Sequence, residues 1–409
     1  MSAARRRVAI TGLGVVSAVG QDAAGFFANL AAGRSGVSLL ATSPNTVAAS
    51  VKFDADAHFT KMQLTTLDRF AQFGVVAAEQ AVRDAGLEDA QLHSDRVAVY
   101  FGSGIGGAST IESSYRAFLD PNGGRVGPMT IVLTMANSAA AQISLRHGIR
   151  GPTLTYTIAC ASAAVAIGEA FRAVRDGYAD IAIAGGAEAL LNPGIVAGWN
   201  AMRVLAPPDR EHPEQSCRPF SQDRSGLVLG EGAGAIVLES FEGAQARGRT
   251  IVAEMSGYGI TSDASHLTKP SAAGQVAAMR AALADAELPP SAIGYINAHG
   301  TATQVGDITE TEAIREVFGA DVPPVSSTKA LHGHLLGASG AVEFIAALMA
   351  MRTGTLPPTS NYRQPDPRCD LDYVPNAARA SANVAAVMSN SFAFGGTNAV
   401  LVARQPSGD

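Results

Sequence analysis

The stretch Thr153-Leu154-Thr155-Tyr156-Thr157-Ile158-Ala159-Cys160-Ala161-Ser162-Ala163-Ala164-Val165-Ala166 changes character in its middle. Its first six residues are β-branched, aromatic or leucine and suit a strand, whereas the small residues from Ala161 onward suit a closely packed helix. A buried strand, a sharp turn and a helix would hold Cys160 at a helix N-terminus, where the macrodipole favours a thiolate. Two readings of Cys160 stand at this point. It is either a nucleophile or a small buried hydrophobe, as most free cysteines are.

Outward from this stretch, strand-like and helix-like segments alternate through Gly-rich connections, which predicts an α/β fold in layers. Strands are predicted at 8–11, 97–101, 154–158, 181–184 and 235–238, then at 251–258, 293–297, 325–327, 385–389 and 399–403. Helices are predicted at 70–85, 163–175, 274–286 and 308–318, and a further helix runs over 341–351. A chain of 409 residues is too long for one ordinary core, so it forms two domains or one fused double-layered unit. The division falls near Gly248-Arg249-Thr250, giving halves 1–250 and 251–409 whose sequences show no visible repeat. Arg5-Arg6-Arg7 followed by an apolar run imitates a signal peptide, but Thr11, Gly12, Gly14 and Ser17 interrupt the run and favour a strand and a turn.

The hydrophobic share of 47% and 43 glycines indicate extensive buried surface and close backbone packing. The formal charge is 30 minus 36, or −6, which speaks against nucleic acid as a partner. Cys160, Cys217 and Cys369 are widely separated, form no disulfide framework and suit a reducing cytoplasm. No apolar stretch reads as long enough for a membrane span. The glycines of 102–107 superficially resemble a phosphate cradle but carry no Walker lysine, so nucleotide binding is not indicated.

Two distant segments offer partners for Cys160. Asn297-Ala298-His299-Gly300-Thr301-Ala302-Thr303 follows a strand-like run, and so does Ser326-Ser327-Thr328-Lys329-Ala330-Leu331-His332-Gly333-His334. Histidines at loop tips after strands are placed for chemistry, although a lone histidine is more often structural. His58, His93, His147 and His212 read as surface residues. His332 is ambiguous, but no CxxC or HExxH spacing accompanies it, so no metal site is expected.

These residues carry a resemblance. Val8 to Gly14, Gly102-Ser103-Gly104-Ile105-Gly106, Ala159-Cys160-Ala161-Ser162 and Ala184-Gly185-Gly186-Ala187-Glu188 stand in the order found in elongating β-ketoacyl-ACP synthases of the KAS I/II type. So do Arg218-Pro219-Phe220, Asp223-Arg224-Ser225-Gly226, Gly230-Glu231-Gly232-Ala233-Gly234, the His299 and His334 loops, and Asn390-Ser391-Phe392-Ala393-Phe394-Gly395-Gly396-Thr397-Asn398. The chain resembles that family over nearly its whole length. The resemblance implies a thiolase-like fold of two similar α/β halves, layered α-β-α-β-α, with the site where the halves join.

It also implies a ping-pong condensation. An acyl group passes from a carrier thioester to Cys160; malonyl-ACP then loses carbon dioxide and its carbanion attacks the new thioester. His299 and His334 would steady the enolate, and the backbone N–H groups of Cys160 and Phe394 would hold the other oxyanion. Lys329 and Glu343 would form a buried pair that sets the histidine environment, although Glu343 early in a helix could equally complement the dipole. Thr301 and Thr303 match pantetheine contacts, or else cap neighbouring turns. Ile105 and Phe394 match the gates of the acyl pocket, and Trp199 falls near that pocket. The expected substrates ride on the phosphopantetheine of acyl carrier protein, with no further cofactor. A dimer is expected, either of two copies or with a chain-length-factor-like subunit.

Departures from the family pattern bear on the substrate. Ala393 replaces the usual glycine and, because alanine resists positive φ, is expected to stiffen the gate. Met62, Thr65 and Thr66 stand where many fatty-acid relatives carry basic residues, so carrier docking is expected to shift to Arg203 and Lys269. Ile105 favours the KAS II-like side and longer acyl chains. The pathway stays open between fatty-acid elongation and a type II polyketide or aryl-polyene ketosynthase. A non-condensing chain-length factor would lack the nucleophile, and a CoA-dependent thiolase would need a second catalytic cysteine near the C-terminus, where Asn390-Ser391-Phe392 stands instead.

Overall fold

The computed structural model describes residues 5–381 and 384–407. Ten strands form one hydrogen-bonded sheet: β1 (Val8–Ser17), β2 (Val97–Gly102), β3 (Thr153–Tyr156), β4 (Ile181–Glu188) and β5 (Gly232–Ser240) from the first half of the chain. The second half adds β6 (Ala253–Ser262), β7 (Ile293–Asn297), β8 (Val325–Ser326), β9 (Ala386–Phe392) and β10 (Thr397–Arg404). Their order is β8-β7-β9-β10-β6-β1-β5-β4-β2-β3.

That order repeats itself. In the first half β2 is parallel to β3 and β4, while β5 is antiparallel to both β4 and β1. In the second half β7 is parallel to β8 and β9, while β10 is antiparallel to both β9 and β6. The halves are therefore topological copies, joined by a short antiparallel pairing of Val8, Ala9 and Ile10 with Met255, Glu254 and Ala253. The sequence shows no repeat because packing constrains the pattern of each element rather than its residues.

Helices complete five layers. Helix α1 (Arg69–Asp84) covers the outer face of β1, β5 and β4, and α3 (Ala272–Asp285) covers β6 and β10, with α4 (Gly306–Phe318) beside it. Between the two half-sheets lie α2 (Ser162–Arg175) and α5 (Ser339–Thr353), whose Val165, Ile167, Val342 and Ile345 share one core with strands of both halves. The run Leu336–Thr353 is long and apolar enough to cross a membrane, contrary to the reading of the sequence, but it is buried as this central-layer helix.

Two further expectations are corrected. Strand β1 does not end at Thr11; it runs to Ser17, fully buried, with an irregularity between Ile10 and Gly12. Gly12 and Gly14 are there for close approach, because a Cβ at either would lie 2.0 Å from the carbonyl of Ala81 or Ala77 in α1. His147 is buried, at the last turn of helix Ser138–His147, whereas His58, His93 and His212 are exposed as read.

Candidate active site

Cys160 follows β3 in a tight 3₁₀ turn, Ala159–Ala161, with Ala159 at φ +42°. Ser162 clamps that turn: its hydroxyl accepts the N–H of Ile158 at 2.8 Å and donates to the carbonyl of Ala159 at 2.7 Å. A left-handed alanine costs about 1–3 kcal/mol and persists only where its surroundings impose it. The second half repeats the arrangement: the turn Leu336–Ala338, with Leu336 at φ +44°, leads into α5 at Ser339. The nucleophile turn and the histidine loop thus occupy matching places in the two halves and meet.

Cys160 Sγ lies 3.0 Å from His334 Nε2, and the other ring nitrogen of His334 bonds the Ser339 hydroxyl at 2.8 Å. His299 stands edge-on to His334, with ring centroids 5.4 Å apart and planes at 84°. Its backbone is fixed by Glu310, a buried carboxylate of α4 that accepts the N–H of His299 and of Gly300, each at 2.8 Å. Asn390 Nδ2 donates to the same carboxylate at 3.1 Å.

Lys329 and Glu343 form an ion pair with both side chains essentially inaccessible. Burial, reinforced by the Lys329 ammonium, holds the imidazoles of His299 and His334 well below the ordinary histidine value, so both are neutral at physiological pH. His332 is structural: its ring bonds Thr328 Oγ1 at 2.9 Å and the Gly333 carbonyl at 2.7 Å. Burial pushes the Cys160 thiol up to about 12, although Lys329 and the Phe394 N–H pull it down. This corrects the expectation of a helix-stabilised thiolate: desolvation outweighs the dipole, and the thiol needs a base.

Cys160, His299 and His334 bring one ligand atom each within 4.8 Å of one another, a spacing that could hold a metal ion. The cation beside them argues against it, because the ammonium that depresses both imidazoles would also repel a metal.

The three residues open on a cavity of about 450 Å³, which Thr301, Thr303, Trp199, Phe394, Arg203 and Lys269 also line. The hydroxyls of Thr301 and Thr303 lie 3.0 Å apart. Arg203 and Lys269 are exposed at the rim, and Met62 is 82% exposed on the short helix Lys61–Leu64. Phe394 stacks on Trp199 at 6.1 Å, and Ile105 packs in the same apolar cluster as Cys160. Ala393 adopts no positive φ; the loop takes its left-handed turns at Gly395 (φ +90°) and Gly396 (φ +81°), so the substitution carries no backbone strain.

Two functional supports escaped the reading of the sequence. Arg224, fully buried and paired with Asp366 at 2.8 Å, donates to the carbonyls of Thr303 and Gln304 at 3.1 Å each and so braces the threonine loop. Glu188, at the end of an otherwise apolar strand, is buried beneath the loop of Ile105. An acid closing an apolar strand was the available signal for Glu188.

A buried thiol, two neutral imidazoles and a buried cation lie at the junction of two duplicated α/β halves, in a condensing enzyme of thiolase-like fold. The chain belongs to the β-ketoacyl synthase family: its N-terminal domain model matches residues 5–244 and its C-terminal domain model residues 252–363. It is 46% identical over 407 residues to nodulation protein E of Rhizobium sp. (strain N33), covering 98% of this chain and 99% of that protein. It is 42% identical to 3-oxoacyl-[acyl-carrier-protein] synthase 2 of Staphylococcus aureus (strain COL), covering 97% and 98%. Among solved structures, the ishigamide ketosynthase/chain length factor superposes with a TM-score of 0.92 at 36% identity, covering 99% of this chain and all of that one.

Proposed function

We propose that the protein is a β-ketoacyl-[acyl-carrier-protein] synthase that extends a Cys160-bound acyl group by two carbons from malonyl-ACP. The observation that carries the reading is the 3.0 Å approach of Cys160 Sγ to His334 Nε2, with neutral His299 edge-on beside it and the Phe394 N–H facing the sulfur.

In the first half-reaction Sγ attacks the carrier thioester. His334 Nε2 takes the thiol proton and passes it to the departing phosphopantetheine thiolate, as one C–S bond forms and the other breaks. Once sulfur is acylated, His334 has no thiol proton to accept. The Ser339 hydroxyl can donate to Nδ1 as readily as accept from it, so the ring can present an Nε2–H instead. That N–H and His299 then stabilise the enolate oxygen as malonyl-ACP loses carbon dioxide; the C–S bond to Cys160 then breaks, its thiolate taking up a proton from solvent, as the new C–C bond forms at the acyl carbon. The backbone N–H groups of Cys160 and Phe394 hold the oxyanion there. Thr301 and Thr303 would bond the pantetheine amides, with Phe394 and Ile105 at the acyl gate.

Arg203 and Lys269, exposed at the rim, would meet the acidic carrier protein. We place the division of the chain at 250/251, in a dimeric protein of the cytoplasm. Ile111, Tyr115, Phe118 and Leu119 on the helix Ala108–Leu119 expose an apolar face of the kind a subunit covers. Fatty-acid elongation is the primary reading. A type II polyketide or aryl-polyene ketosynthase is the second, favoured by the structural likeness to a ketosynthase/chain length factor.

Incubation with malonyl-ACP and acyl-ACPs of graded length and unsaturation, with and without a co-expressed partner subunit, tests the reading. A 3-oxoacyl-ACP two carbons longer than the donor is expected by mass, and the favoured donor separates the two pathways. No condensation product from any donor, with or without the partner, would overturn it.

A further inference from the structure

Glu188 ends β4 with its side chain fully buried. Its carboxylate gathers four neutral donors. Oε2 accepts the N–H of Gly104 at 2.7 Å and of Gly337 at 3.0 Å; Oε1 accepts the N–H of Ile105 and the Ser103 hydroxyl, each at 3.2 Å.

These donors belong to two different loops. Ser103, Gly104 and Ile105 follow β2, and Ile105 packs in the apolar cluster that contains Cys160, Trp199 and Phe394. Gly337 lies in the turn between His334 and Ser339, the residue whose hydroxyl bonds the His334 ring. The loops touch directly. A Cβ at Gly337 would lie 2.3 Å from the Gly104 nitrogen and 2.6 Å from Glu188 Oε2, and one at Gly104 would lie 2.8 Å from both Glu188 Oε2 and Leu336.

The second half offers an internal comparison. Glu310 accepts two successive N–H groups, those of His299 and Gly300, in the loop after β7, which is the counterpart of the loop after β2. Glu188 sits on a strand and Glu310 on a helix, so the two carboxylates reach matching loops from different elements. In one half the residue held is a histidine facing Cys160; in the other it is Ile105. Burial pushes the Glu188 carboxyl up to about 7 although every donor pulls it down.

We propose that Glu188 is a positioning residue that fixes the peptide carrying Ile105 and ties it through Gly337 to the turn supporting His334, so that acyl-chain fit and histidine placement are set together. This deepens the condensation reading and rests on it.

Glu188→Gln tests the proposal. Whichever way the amide turns, its NH₂ faces two donors, so either Gly104 and Gly337 or Ile105 and Ser103 lose their acceptor. Single-turnover acylation of Cys160 across a graded acyl-ACP panel is expected to change shape, with the long-to-short rate ratio shifting about fivefold or more. Amide hydrogen exchange is expected to quicken in 103–106 and in 335–338 together. A purely structural role would lower all acylation rates by a common factor, and that outcome would overturn the proposal; so would faster exchange in only one segment or in neither. If Glu188→Gln does not fold, Ser103→Ala removes a single donor and is expected to shift the profile in the same direction by a smaller factor, an unchanged profile again overturning the proposal. If the wild type accepts no acyl donor, the condensation reading fails, while hydrogen exchange still decides whether Glu188 joins the two loops.

Discussion

Cys160 Sγ and His334 Nε2 meet at 3.0 Å from opposite halves of the chain, Cys160 in the turn that leads into one central-layer helix and His334 just before the turn that leads into the other. Because the halves repeat one topology, the two turns converge, and neither half alone contains the site. Burial leaves the thiol protonated, which is why the proposed mechanism has the histidine accept its proton before sulfur attacks.

In the proposed mechanism the Ser339 hydroxyl, 2.8 Å from His334 Nδ1, lets His334 change tautomer between the two half-reactions. Ser339→Ala is expected to lower the overall condensation rate by about tenfold or more, while the KM for each carrier substrate stays within about twofold. Steady-state kinetics on both substrates measures this. An unchanged kcat would remove Ser339 from the mechanism.

The proposed mechanism assigns His299 to the enolate rather than to the thiol. His299→Ala is expected to cut malonyl-ACP decarboxylation by about a hundredfold or more and to leave acylation of Cys160 within about threefold of wild type. Carbon dioxide release and intact mass read the two steps separately. Equal losses in both would assign His299 to the first half-reaction.

The Lys329–Glu343 pair is buried on both sides, so either single truncation strands a charge. Lys329→Met and Glu343→Met are each expected to destabilise the fold by about 3–5 kcal/mol, and the double variant to recover most of that while remaining inactive. Chemical denaturation with an activity assay checks both statements.

The catalytic imidazoles are held neutral by burial and by Lys329, so condensation is expected to show no acidic limb between about pH 6 and pH 8. His332 makes its own contribution to the pH dependence of stability. His332 sits at about 3 when folded, whereas an unfolded histidine binds its proton near 6.5. Between those values the unfolded chain binds more protons, so this contribution is complete above about pH 6.5 and is lost as pH falls toward 3. Rate profiles checked against unfolding midpoints separate the two effects; a rate loss centred near 6.5 in folded protein would contradict the neutral pair.

Much of this site is legible in the sequence because its chemistry requires particular residue types in local contexts. The β-branched run before Cys160 and the small residues after it predict the strand, turn and helix that are found, and His299 and His334 follow strands as read. The misreadings share one cause: they depend on what packs across from a residue. Gly12 and Gly14 read as a turn because glycine breaks strands in isolation, yet a neighbouring helix backbone requires them within β1. The thiolate expectation considered the dipole without the burial. Arg224 and the duplicated topology involve partners far away in sequence, which no local pattern reports, and Glu188 shows locally only as an acid closing an apolar strand.

Intact-mass spectrometry of wild type and Cys160→Ala after incubation with acyl-ACPs of graded length tests the central claim most directly. The expected result is one acyl adduct on the wild type and none on Cys160→Ala, with the adduct mapping to the peptide that contains Cys160. An equal adduct on both proteins, or none on either from any donor with or without a partner subunit, would contradict the assignment of Cys160 as the acyl-accepting nucleophile.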